Sequence, residues 1–161
     1  MTRKKDTSPR AAGPAGPQFE AKVATHYALA VLAQTEAFGL PGAIVDRLEF
    51  QRNGQGHPLD DIIVKAMTRT GEQRCLEVQA KRSMSFTEGD EVFAAVVAAL
   101  VEGRKKDAGR RFAVALERTS GPIENGVQEV LELSRHATDA QSFLTLLSTP
   151  GRGNEDMRRF I

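Results

Sequence analysis

Between residues 19 and 38 the chain carries no proline or glycine, and Val23, Tyr27, Ala30 and Val31 recur at helical spacing until "GLPG" breaks the pattern. This spacing predicts a first helix over 19–38. Alternation then takes over: "AIVDRLEFQR" (43–52), "LDDIIVKAMTR" (59–69) and "RCLEVQAKRS" (74–83) read as strands separated by the turns "NGQGHP" and "TGEQ". Three short strands in succession predict an antiparallel meander. Residues 87–106 follow as a helix dense in apolar residues, with Thr87 as its cap and Asp90 three positions on. "RFAVALERTS" (111–120) is a fourth, apolar strand, and 123–137 and 139–148 are two further helices. A meander followed by a helical crossover to another strand predicts an α/β fold, a mixed sheet flanked by helices with a C-terminal helical extension.

Within the third strand, Leu76, Val78 and Ala80 alternate with Glu77, Gln79 and Lys81, so one face is polar throughout. Two readings fit such a row. It is the solvated outer face of a half-exposed strand, or an acid, an amide and an ammonium that act together. The second strand opens with two carboxylates, Asp60 and Asp61, which strict alternation sends to opposite faces. Asp61, next to the Ile62–Val64 run, is the one expected to join the polar row; the alternative is that "LDD" only finishes a turn. On the first helix, Glu20 shares a face with Val23, Ala24, Tyr27 and Val31, an acid beside an apolar stripe. A role at the helix N-terminal dipole is the other reading of Glu20.

Length and composition narrow the classes. A chain of 161 residues, 40% of them hydrophobic, suffices for one compact domain with a core. With 22 basic against 21 acidic residues the net charge is +1, so nucleic acid could be bound only through local basic patches. One such patch is "EGRKKDAGRR" (102–111), with Arg104, Lys105 and Lys106; Arg82 is another candidate for phosphate contact. No tryptophan and few aromatics leave little surface for stacking unpaired bases, which favours a duplex held by its backbone. Cys75 is the sole cysteine, which excludes an internal disulfide framework and a cysteine-based zinc site and matches a reducing cytoplasm. His57, in a turn, reads as a surface residue, and His26 and His136 have no partners at ligand spacing.

The first 17 residues, rich in Pro, Gly, Ser and Ala, read as a flexible basic tail with no apolar run behind it, so neither a signal peptide nor a membrane segment is expected. At the other end "GRGNEDMRRFI" starts a helix with Asn154 as cap and breaks off after barely two turns. These residues are therefore expected to be the front part of a longer polypeptide.

An aspartate on one strand, with an acid or amide and a lysine two apart on the next, resembles the PD-(D/E)XK nuclease superfamily. "QAK" (79–81) is similar to the QxK motif of its Mrr-like branch, Asp61 to the preceding aspartate, and "GPQFEAKVA" with Glu20 to the first helix. The stretch from "LEVQAKRSMSF" to "SFLTLLSTPGRGNEDMRRFI" resembles the N-terminal nuclease region of antiviral STAND-type NTPases. The resemblance implies a restriction-endonuclease-like α-β-β-β-α-β core over 18–121, with 122–161 leading into domains beyond this chain. It further implies a metal-dependent endonuclease acting on double-stranded DNA, with Asp61, Gln79, Lys81 and Glu20 catalytic and Asp60 and Glu77 as secondary candidates. Magnesium or manganese would be held by Asp61, the Gln79 side chain and the Ala80 carbonyl. Lys81 would hold or deprotonate the attacking water, and Glu77 would join the row or pair with Lys81 or Arg82. Homo-oligomers through the downstream domains are implied as well. A module of the same fold without catalysis, binding nucleic acid or mediating assembly, is the alternative that the neutral Gln79 leaves open.

Overall fold

The computed structural model describes residues 15–51, 56–87, 89–107 and 109–149. Its elements are α1 (Ala15–Ala33), β1 (Ala43–Phe50), β2 (Ile62–Thr68), β3 (Gln73–Lys81), α2 (Glu91–Lys106), β4 (Arg111–Leu116), α3 (Gly121–His136) and α4 (Ala140–Ser148). The strands form one mixed sheet in the order β1-β2-β3-β4. β1, β2 and β3 pair antiparallel, and β4 pairs parallel to β3, with α2 as the crossover that a parallel pair requires.

By contacts the chain divides into two compact units. The first contains α1, the four strands and α2 from Val96 onward; the second contains Ser83–Ala95, α3 and α4. In the first, Tyr27 and Ala30 of α1 pack with Val45, Ile62, Val64, Ala66, Leu76 and Val78, and Val23, Ala24 and Val31 extend the contact. The helical stripe expected from the sequence is thus the face that meets the sheet. Apolar residues at every second position of β2 and β3 meet it because strand side chains alternate. On the strand positions between them, Gly103 of α2 comes so near that a Cβ would lie 2.5 Å from the Phe112 ring and 2.8 Å from Pro58. Glycine there permits the close approach of helix and sheet. Within the second unit, Asp139 caps α4 through a reciprocal hydrogen-bond pair with Ser142.

Several expectations need correction. α1 begins at Ala15, inside the segment read as tail, because Pro17 in a first turn costs no helical hydrogen bond. It ends at Ala33 rather than 38, where Gln34 turns to a φ of 53°. Asp90, not Thr87, caps α2, accepting from the N–H groups of Val92 (2.9 Å) and Phe93 (3.2 Å). β2 starts at Ile62, so Leu59, Asp60 and Asp61 precede the strand. The terminal segments, including the helix expected at Asn154, lie outside the described residues.

Candidate functional site

β3 lies between β2 and β4, so its polar row stands inside the sheet and not at an edge. Glu77 is fully buried and Gln79 is 8% exposed, so the row is no solvated face. Gln79 and Asp61 meet at one end of the strand pair. The Gln79 Nε2 and the Ala80 backbone N–H (2.8 Å) both donate to Asp61 Oδ2. Two donors on one oxygen hold the Asp61 side chain against the backbone of β3.

Around this pair the other expected residues gather. Burial raises the Glu20 carboxyl above its ordinary value, the Asp61 charge adds to the effect, and the Lys81 ammonium opposes it. Asp60 is raised in the same way, first by burial and then by Asp61, with Lys81 again opposing. Glu20, Asp60, Asp61 and Lys81 therefore share one electrostatic neighbourhood although they come from a helix, a loop and a strand. Glu20 and Asp61 also line a cavity of about 400 Å³ together with Pro17, Phe50 and Gln51. Strict alternation had assigned only one of the two aspartates to the row. Because both lie ahead of the strand, that rule does not bind them, and both feel Lys81.

Glu77 does something else. Its Oε1 receives the Arg110 guanidinium (2.7 Å) and lies 2.9 Å from His57 Nδ1, while its Oε2 accepts from the Leu59 N–H (3.2 Å). Arg110 also donates to the Gly56 carbonyl at 2.6 Å. The pair thereby clamps residues 56, 57 and 59, the segment that delivers Asp60 and Asp61. Pairing of Glu77 with Lys81 or Arg82 is replaced by this clamp, and Arg82 bonds Glu117 instead (3.0 Å). His57 is correspondingly no surface residue, since its side chain is 13% exposed. Sequence reasoning missed the clamp. Its partners stand 20 and 33 positions from Glu77, and the short "HPLDD" spacing was the only trace of it.

Comparison of the chain with protein-family models, with curated proteins and with solved structures finds no match. Geometry alone must therefore carry any reading of function.

The Glu20, Asp60 and Asp61 carboxyl groups act on one another electrostatically, and Glu20 and Asp60 are pushed toward protonation. The single cysteine also belongs to a cluster. Ligand atoms of His57, Cys75 and Glu77 lie within 4.8 Å of one another, so one cysteine does not preclude a mixed group. Lys65 Nζ already donates to Cys75 Sγ at 3.3 Å and Arg110 to Glu77, however, so two cations take up ligand atoms that a metal would need. The expected phosphate-contacting residues divide. Arg82 follows Lys81 at the site, whereas Arg104 lines a cavity with Arg74 and Cys75 at the opposite end of β3, about 20 Å along the strand. Lys106 pairs with Glu102, and Lys105 is exposed. His26 and His136 are exposed on α1 and α3. No helix among the described residues is long and apolar enough to cross a membrane.

Proposed function

We propose that the chain is a metal-dependent endonuclease domain of the PD-(D/E)XK type that hydrolyses phosphodiester bonds of double-stranded DNA, as the effector of a longer defence protein. The observation that carries this reading is the meeting of Asp61 with Gln79 and the Ala80 backbone, inside the field of Glu20, Asp60 and Lys81. Support also comes from the α-β-β-β-α-β order of elements, the order that the resemblance implies for the core.

Each residue has a distinct part. Asp61, the Gln79 amide oxygen and the Ala80 carbonyl are the atoms that would hold a magnesium or manganese ion, which when bound polarises the phosphoryl oxygen and neutralises developing charge. Lys81 is the cationic side chain of the group. Its ammonium orients the attacking water and stabilises the charge that accumulates on the phosphate oxygens. Glu20 and Asp60 keep the site negative around it, and Arg82 meets the DNA backbone beside the cut. The Glu77–Arg110 clamp fixes the loop that sets Asp61, so it acts on the chemistry by position alone.

Incubation of supercoiled plasmid with the protein and magnesium or manganese tests the proposal. Relaxed and linear products are expected, and none with chelator present. Asp61→Asn should abolish them while leaving the thermal melt in place, because it removes a group needed at the metal and not in the core. A wild type that leaves plasmid intact with both metals would favour the non-catalytic alternative.

A further inference from the structure

We infer that the outward side of α2 is an interface on which a second copy of this chain packs, the two helices running antiparallel. From Val92 to Val101 every residue of this one continuous helix is apolar, yet Val96 alone of that run is buried. A helix that is apolar all round belongs in an interior, whereas a surface helix carries polar residues on its outer side. Ala94, Ala98 and Val101, with Val97 beside them, recur at helical spacing on the side turned away from Val96 and Gly103. All four are exposed, Val97 at 39% and Val101 at 49%. Contiguous apolar surface left open in this way marks a site of association.

The charges at the two ends of this face select the partner. Glu91 stands at its N-terminal end and Lys105 at its C-terminal end, both exposed and in line with Ala94, Ala98 and Val101. Lys106 takes Glu102, and among the described residues neither Glu91 nor Lys105 has an ionic partner. A face that begins with a carboxylate and ends with an ammonium is complementary to itself turned end for end, which is the relation a two-fold axis creates. A partner of a single charge would answer one end and repel the other. With the axis at Val97 and Ala98, Ala94 meets Val101 of the second copy, Val97 meets its Ala98 and Glu91 meets its Lys105, each contact occurring twice. Small residues set against larger ones let the helices approach closely and interdigitate. One helix face buries less than the roughly 800 Å² per partner of a stable interface, so a dimer in exchange with monomer in the micromolar range is expected.

Sedimentation velocity of the 161-residue protein across a concentration series tests this inference. Chelator is present and DNA absent, so the outcome is independent of the nuclease reading. A dimer that grows with concentration is expected. Ala98→Glu sets two carboxylates against each other at the axis and should leave only monomer. Lys105→Glu places like charges at both ends of the paired faces and should weaken the dimer about tenfold, and Glu91→Lys should do the same. Combining these two exchanges reverses the polarity of each end and should restore the wild-type affinity. The substituted positions are exposed, so thermal melts should match wild type. A wild type that is monomeric at every concentration overturns the inference and leaves the face to a different partner. So does a dimer that Ala98→Glu leaves intact, or one that the combined exchange fails to restore.

Discussion

Glu77 and Glu20 are both carboxylates set against the same sheet, and they sit in opposite electrostatic situations. Glu77 is fully buried yet answered by Arg110, the Leu59 N–H and His57, so its charge is spent on holding a loop. Glu20 is only partly buried, yet it faces Asp61 and Asp60 and its carboxyl is pushed toward protonation. The contrast separates a carboxylate that stabilises from one that is kept under tension. Uncompensated negative charge is costly to a fold and useful to a cation, and the candidate site has it where the clamp does not.

Removing the answered charge should have the largest effect. Glu77→Ala leaves Arg110 and His57 without their buried partner and frees the segment that carries Asp60 and Asp61. A loss of about 3–5 kcal/mol is expected, the range for breaking one side of a buried pair, read from urea denaturation. A loss below about 1 kcal/mol would place Glu77 among ordinary surface residues and end the comparison.

Glu20→Gln should act in the opposite direction and by less. Burial and Asp61 raise the Glu20 carboxyl above its ordinary 4.5, so the folded chain takes up this proton more readily than the unfolded one. The stability from that difference is fully present below the unfolded value and is lost as pH rises through the raised folded value. At neutral pH the ionised side chain is therefore unfavourable, and its neutral isostere should melt slightly higher. The gain stays under about 1 kcal/mol because the group is only partly buried and solvent screens it. It should vanish as pH falls below 4.5, and thermal melts across that range measure it. A variant that melts lower than wild type at neutral pH would mean that Glu20 is compensated after all.

Much of this contrast was written in the alternation of the chain, and its limits are physical. The meander, the crossover helix and the α1 stripe follow from periods of two and 3.6, which short-range pattern preserves. Gln79 and Lys81 were legible as neighbours for the same reason, being two apart on one strand, whereas Asp61 joins them from ahead of β2, where strand period does not reach. Alternation failed at Asp60 because β2 starts only at Ile62, and an irregular residue owes nothing to strand period. It also misread Glu77, whose face is polar in sequence but closed over in the fold. Whether a polar strand face meets solvent depends on Pro58, Gly103 and Phe112, which come together only in three dimensions. The α2 cap was misplaced by three residues because Thr87 and Asp90 both suit a cap, and hydrogen bonds to Val92 and Phe93 decide for Asp90.

The claim that this uncompensated charge serves a metal-dependent cut is tested most directly by titrating magnesium into plasmid cleavage by wild type, Lys81→Ala and Gln79→Glu. Lys81→Ala should be inactive at every magnesium concentration and melt like wild type, because the ammonium acts only at the reacting phosphate. Gln79→Glu adds a carboxylate oxygen to the cation's donors and should reach half its maximal rate at lower magnesium than wild type. Cleavage that survives in Lys81→Ala, or a magnesium requirement that Gln79→Glu leaves unmoved, would contradict the account.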